Sequence, residues 1–505
     1  MVGDMTGSPL RRLLDALRDP AVYPHPVDDV VEIETHVSHV LLAGDRAYKL
    51  KKPLDLGFLD YSTLALRRDM CREELRRNGV LAPGLYEAVV AITGTASAPR
   101  LADDPPPPGE PAIEYAVRMR RFPQEAQLDR RLAAGALDSG DMERIAECVA
   151  LYQAAAPRAD AGGEHGTPAC VWRPVGENFA QILPRLEEPG LRERVAALRA
   201  WSESEHARLE PLLRARLAGG FVRACHGDLH LSNLAEVDGR VLAFDCIEFD
   251  PHLWWIDVVS DTAFLVMDLL SRDRRDLAAA FLDAWLARTG DHEGLRLLRY
   301  HLAYRSMVRA KVAAIALGQR PGAPAAVQRE KLLRHVALAE RVAREPRGGV
   351  VILCGLAGSG KSTVARALVR RHGALSVRSD VERKRLFGLA ATATSGSPLD
   401  GGVYTPEANR RTFERLERAV RDIVASGHVA VADACFLRRT GRDRFRAVAH
   451  ELGVPAVVLH LDAATDELLR RVRARAAEGG DASEAGPEVL LRQIATAELP
   501  PGPDE

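Results

Sequence analysis

The chain has 505 residues, 47% apolar and 28% charged, ordinary globular values that exclude a disordered or collagen-like chain and predict about three domain-sized units. Sixty-nine Lys and Arg against 70 Asp and Glu leave a formal net charge of −1, so bulk electrostatics does not hold nucleic acid. Seven scattered cysteines form no CxxC pair, which argues against a zinc cage or disulfide framework and fits a reducing cytoplasm. The start, MVGDMTGSPLRRLL, has no signal-peptide core, and the greasy stretch from Trp254 to Leu270 is broken by Asp257, Asp261 and Asp268. A soluble cytoplasmic protein without a membrane span is expected.

In chain order, residues 30–52 read as strands: VVEIE, then VLLAG, a Gly44-Asp45 turn and AYKLK. A helix is predicted from Thr63 to Asn78. The proline run DDPPPPGEP (103–111) reads as a surface loop, and EYAVRMRRF (114–122) is extended before Pro123. Helical patterns cover Leu128 to Ala156 and Leu191 to Leu217. Strands followed by helices predict a two-lobed α+β domain, with a sheet lobe over 1–122 and a helical lobe over 123–320. PGAP (321–324) breaks the chain, and a connector over 321–347 carries Leu332, Val336, Ala339 and Ala343 at helical spacing. After Gly348-Gly349, apolar runs at 350–354, 375–377, 429–433 and 456–461 alternate with helices, one of which (407–426) presents Phe413, Leu416, Val420 and Ile423 on one face. That alternation predicts an α/β domain over 348–505 built on a parallel sheet.

Gly355-Leu-Ala-Gly358-Ser359-Gly360-Lys361-Ser362-Thr363 fits GxxxxGK[ST] between a strand and a helix. Glycines let backbone N–H groups curl around phosphates and the helix N-terminus adds positive dipole. Lys361 is expected to reach the β/γ oxygens of ATP and Ser362 to ligate Mg²⁺. Asp433, ending VAVAD, is the second expected Mg²⁺ holder, with no glutamate beside it to activate water. Asp380, at the end of the second strand, is placed to accept a hydroxyl proton. Arg383 and Arg385 follow it, and Arg471, Arg473 and Arg475 cluster near the end; they serve either a lid over the phosphoryl group or a solvated helix face. This segment resembles P-loop kinases of small molecules and polynucleotide 5′ ends, including the zeta-toxin-like group. Such kinases place an Asp-x-x-Arg after the second strand, matched by Asp380 and Arg383, and lid arginines, matched loosely by Arg471 and Arg475.

The other informative stretch is CHGDLHLSNLAEVDGRVLAFDCIEFD (225–250). Asp228 would orient and deprotonate a hydroxyl, Asn233 would bind metal, and Asp245, after the Asp238-Gly239 turn, would hold Mg²⁺ against the nucleotide phosphates. The pattern resembles the aminoglycoside phosphotransferase/choline kinase branch of the protein-kinase-like fold, where HGD replaces HRD. The resemblance implies a phosphate-binding lysine and a helix glutamate upstream. Lys49 and Lys51 share a strand face, with Lys49 favoured, and Glu74 or Glu73 is the glutamate. Thr35-His36-Val37-Ser38 stands where protein kinases carry a glycine-rich loop. Glu248, Asp250, Asp257 and Asp261 either line a pocket for a polycationic antibiotic or serve as caps and ion-pair partners.

The reading is a bifunctional ATP-dependent phosphotransferase using Mg²⁺ and acting on hydroxyls of small molecules, with no membrane partner. The alternative is a nucleotide-gated regulatory protein whose kinase-like half binds without transferring phosphate. Phosphorylation of nucleic-acid ends is disfavoured, because all five tryptophans lie outside the P-loop half.

Overall fold

The computed structural model describes residues 9–55, 57, 59–317, 323–344, 348–398 and 401–500; the first eight residues of the chain start and the Pro321-Gly322 part of the PGAP break lie outside them. The chain divides into two compact units: Met1–Leu137, Leu151–Val171 and Leu213–Asp261 form one, and Asp138–Ala150, Trp172–Leu212 and Thr262–Glu505 the other. Among the described residues no helix is long and apolar enough to cross a membrane.

The first unit opens with α1 (Pro9–Ala16), β1 (Val30–Glu34), β2 (Ser38–Ala43), β3 (Arg46–Lys51), α2 (Leu64–Leu81), β4 (Tyr86–Thr95), β5 (Ala98–Asp103) and β6 (Glu114–Arg120). The six strands make an antiparallel sheet in the order β1-β2-β3-β6-β4-β5. Both faces are covered. Leu41, Tyr48, Leu50, Val90 and Ile92 pack with Leu10, Leu13 and Leu14 of α1, whereas Val89, Ala91, Tyr115 and Val117 pack with Cys71 of α2. Thr63 caps α2 by accepting the Leu66 N–H at 3.2 Å.

Helices α3 (Leu128–Ala133), α4 (Ser139–Ala155), α5 (Pro168–Ile182) and α6 (Pro189–Ala218) follow. The predicted helix from Leu128 to Ala156 is two helices, because the chain turns at Gly135 with φ +71°. Next come β7 (Val222–Ala224), the hairpin β8 (Leu234–Val237) and β9 (Arg240–Ala243), α7 (Pro251–Trp254), β10 (Trp255–Asp257) and α8 (Val258–Ser271). Strand β7 pairs with β10, and the chain between β7 and β8 is the HGD loop.

The second unit takes in α9 (Arg275–Thr289), α10 (Leu295–Leu317) and α11 (Ala323–Ala343), then β11 (Gly349–Cys354), α12 (Lys361–His372), β12 (Leu375–Arg378), α13 (Ser379–Leu386), α14 (Pro406–Ala425), β13 (Val429–Asp433), α15 (Arg439–Glu451), β14 (Ala456–His460), α16 (Thr465–Glu478) and α17 (Pro487–Thr496). Its four strands are all parallel, in the order β12-β13-β11-β14. Glycine 360 and Lys361 therefore sit at the carboxyl end of the sheet, where open α/β sheets bind ligands. Helix α9 lies against α12 and the edge strand β12.

Candidate active sites

The first centre is built around a strand with alternating lysines. Period-two geometry puts Lys49 and Lys51 on one face of β3, and buried Glu74 of α2 stands between them. Lys49 Nζ donates to Glu74 Oε1 at 2.8 Å and Lys51 Nζ to Oε2 at 2.6 Å. Lys49 goes on to Asp245 Oδ1 at 2.5 Å, and Lys51 to Glu248 Oε1 at 2.5 Å, which also accepts the Tyr61 hydroxyl. Burial alone would raise the Glu74 carboxyl, but the two ammonium groups outweigh it and hold it at about 2. Burial opposes the Lys49 charge too, yet Asp245 and Glu74 keep its pKa well above the usual value. Glu73 points elsewhere and pairs with Arg76.

Asp245 follows β9 with φ +60°, a left-handed conformation that aspartate tolerates better than most residues. Its N–H bonds the Tyr86 hydroxyl at 3.1 Å, and the next N–H, of Cys246, bonds Asn78 Oδ1 at 3.0 Å. In the HGD loop, Asn233 Nδ2 reaches Asp228 O at 3.0 Å and Oδ2 at 3.2 Å, and His230 Nε2 lies 3.2 Å from the same carboxylate oxygen. The Asp228 and Asp245 side chains stay 35% and 45% exposed, so these two acids can meet a ligand; Lys49 keeps a small exposed edge beside Asp245, while Lys51 and Glu74 behind it are shut in. His226 is buried, which lowers its pKa, and its Nε2 meets Phe244 O at 2.8 Å. It is a structural histidine that fixes the loop.

Asp261, one of the acids that the sequence offers as a cap or ion-pair partner, holds that loop. The His226 and Gly227 N–H groups donate to Asp261 at 3.3 and 2.9 Å, and the Tyr152 hydroxyl donates to the same carboxylate. Asp257 is clamped by buried Arg216, Asp250 caps α7 through the His252 N–H, and Glu248 belongs to Lys51. Each of the four acids after Asp245 therefore has a structural partner, as the cap and ion-pair reading expects.

The second centre opens into a cavity of about 1400 Å³ lined by the phosphate loop together with Asp380, Arg383, Asp433, Arg471 and Arg475. Gly355 has φ +154°, and a Cβ there would stand 2.4 Å from Leu461 O, so no side chain fits that turn. Gly360 caps α12 in the left-handed region, with no side chain accepting from the first turn. Ser359 Oγ is buried without a hydrogen-bond partner. Bare helix-start donors and an orphaned hydroxyl are what an anion such as phosphate satisfies. Lys361 Nζ rests on Gly355 O at 2.9 Å and Leu356 O at 2.8 Å, and Ser362 Oγ donates to Asp433 Oδ2 at 2.8 Å. Burial raises the Asp433 carboxyl, opposed by Arg378 and Ser362. Thr363 lies in the first turn of α12 and lines the cavity as well.

Asp380 belongs to the first turn of α13 rather than to the end of β12. Arg383 is buried, with Nη1 donating to Val403 O and Asn409 Oδ1, and Arg475 donates to Ala485 O. Arg385 instead binds Glu382 and the Ala287 carbonyl. Arg378, which the sequence reading passed over, ends β12 and bridges Asp433 (3.4 Å) and Asp481 (3.1 Å). Its signal was its place at the end of a strand beside the phosphate loop.

The family model described as an AAA domain matches residues 350–500. Over 469 residues the chain is 30% identical to an uncharacterized protein of Mycobacterium tuberculosis, covering 91% of this chain and 89% of that protein. Among solved structures it is similar to choline kinase from Cryptosporidium parvum, with a TM-score of 0.39 and 10% identity over 66% of this chain and 95% of that one. It is also similar to the Mycobacterium tuberculosis APS kinase, with a TM-score of 0.22 and 27% identity over 32% of this chain and 87% of that one.

Proposed function

We propose, for a chain that belongs to the same family as the M. tuberculosis protein and joins a two-lobed protein-kinase-like α+β domain to an α/β P-loop kinase domain, that each half transfers the γ-phosphate of ATP to a hydroxyl of a small molecule. The proposed divisions are lobes at 1–122 and 123–320, a connector at 321–347 and the P-loop domain at 348–505.

In the first half, Lys49, steadied by Glu74, takes the nucleotide phosphates, and Asp228 orients the acceptor hydroxyl and accepts its proton. In the second, the loop from Gly355 to Thr363 cradles the phosphates, with Gly358, Ser359, Gly360, Lys361 and Ser362 facing them. Asp380 accepts the acceptor proton there, and Arg383 and Arg475 balance the phosphoryl charge. Asn233 with Asp245, and Ser362 with Asp433, are oxygen-donor sets that suit Mg²⁺; bound there, the ion would supply positive charge to the triphosphate.

The observation that supports this reading is the pair of polar contacts Lys49–Asp245 and Ser362–Asp433, the first reached from the loop of Asp228 through the Phe244 N–H bond to Asn233 O and the second beside Lys361 at the start of α12. ADP release with a hydroxyl acceptor tests it. Asp228→Ala and Lys361→Ala should each remove part of the release and the double variant all of it; full loss in either single variant means one active site. Tight ATP binding without any phosphorylated product across a library of hydroxyl compounds would favour the regulatory reading, and a 5′-hydroxyl oligonucleotide should stay unlabelled by γ-labelled ATP.

A further inference from the structure

We infer that Asp283, on a helix that precedes the connector in the chain, is a positioning residue of the P-loop centre, holding strand β12 so that Arg378 stays on Asp433; this rests on the nucleotide-binding role proposed for that centre. Strand β12 is the edge of the parallel sheet and only four residues long. An edge strand leaves backbone donors without a strand partner. Here Asp283 of α9 fills that place: the Ser376 N–H donates to its Oδ1 at 2.6 Å, and the Ser376 hydroxyl to its Oδ2 at 3.1 Å.

Ser376 and Arg378 are two residues apart and share a face of the strand. A guanidinium fixed at the strand end meets Asp433 and Asp481, and Asp433 in turn takes the Ser362 hydroxyl. Asp283, Arg378, Ser362 and Asp433 line one cavity of about 180 Å³. Burial lifts the Asp283 carboxyl to about 6 against the Ser376 hydrogen bonds, with Asp433 adding to the rise and Arg378 opposing it, so the two acids lie within each other's field. A slide of β12 along β13 would carry Arg378 off Asp433 and loosen the pair that is to hold the metal, as loss of a supporting partner does elsewhere.

The test uses the full chain and a fluorescent ATP analogue, reading the Mg²⁺ dependence of the binding that Lys361→Ala abolishes. Asp283→Ala should raise the half-saturating Mg²⁺ about tenfold, and Asp283→Asn, which keeps an acceptor for the Ser376 N–H, should raise it less. An unchanged Mg²⁺ requirement in Asp283→Ala overturns the inference, as does a loss of binding sites at unchanged Mg²⁺ requirement in both variants. If Asp283→Ala does not fold, Asp283→Asn decides: a raised requirement supports the inference and an unchanged one overturns it. Should Lys361→Ala remove no binding, it is the proposed function that fails at this centre. Hydrogen exchange at the Ser376 amide then tests the hold on β12 by itself: faster exchange in the folded Asp283 variant supports that hold, and unchanged exchange overturns the inference.

Discussion

Lys49 Nζ and Asp245 Oδ1 meet at 2.5 Å across 196 positions of sequence. That contact closes a buried chain of charges that runs from Lys49 through Glu74 and Lys51 to Glu248, and the two ends of the chain differ in what they face. Lys49 looks out beside a half-exposed aspartate, while Lys51 is shut in.

The two lysines should therefore separate by experiment. Lys49→Met should lower Asp228-dependent ADP release by about a hundredfold, the scale for losing one preorganised charge at a reacting phosphate. Lys51→Met leaves Glu74 and Glu248 in the interior short of a counter-charge and should cost about 3–5 kcal/mol of stability. Urea unfolding alongside ADP release, both in a Lys361→Ala background, checks the split; equal effects of the two variants on both readouts would contradict it.

Acid should find Glu74. Its folded pKa of about 2 lies below the ordinary 4.5, so its contribution to stability is complete above about pH 4.5 and is lost as pH falls towards 2. Glu74→Gln should flatten the fall of stability over that window, measured by denaturant midpoint against pH.

Two glycines carry the loops. Gly227 has φ +87°, and a Cβ there would stand 2.9 Å from Leu253 O; Gly227→Ala should cost about 1–3 kcal/mol and remove only the Asp228-dependent turnover. Gly355→Ala, facing Leu461 O at 2.4 Å, should remove only the Lys361-dependent turnover. Thermal melts and the partition of ADP release test both.

Ser362→Ala and Asp433→Asn should each raise the Mg²⁺ needed for Lys361-dependent ADP release, because the first removes the hydroxyl oxygen poised on Asp433 and the second removes the carboxylate's negative charge. A Mg²⁺ titration in an Asp228→Ala background measures this, and no shift in either variant would remove the metal role from the pair.

Much of this was readable from sequence wherever chemistry demands a particular residue. The phosphate loop and the HGD loop stand out because glycine, lysine and carboxylate recur at spacings that backbone geometry imposes. The β4–β5 hairpin went unread: Val89 and Ala91 face one cluster while Val90 and Ile92 face another, so a strand buried on both sides shows no alternation. The break between α3 and α4 hid in an alanine-rich run, where one glycine is weak punctuation. The partnership of Lys51 with Glu248 and of Asp283 with Ser376 joins residues remote in sequence, and no local pattern announces such pairs.

The hold of α9 on β12 also bears on how the chain can be handled in the laboratory. A fragment beginning at Gly348 omits Asp283, leaving the Ser376 amide without its acceptor and a short parallel strand open along its flank. Such a flank invites pairing between molecules, so a truncated protein should clump on expression where the full-length chain stays dispersed.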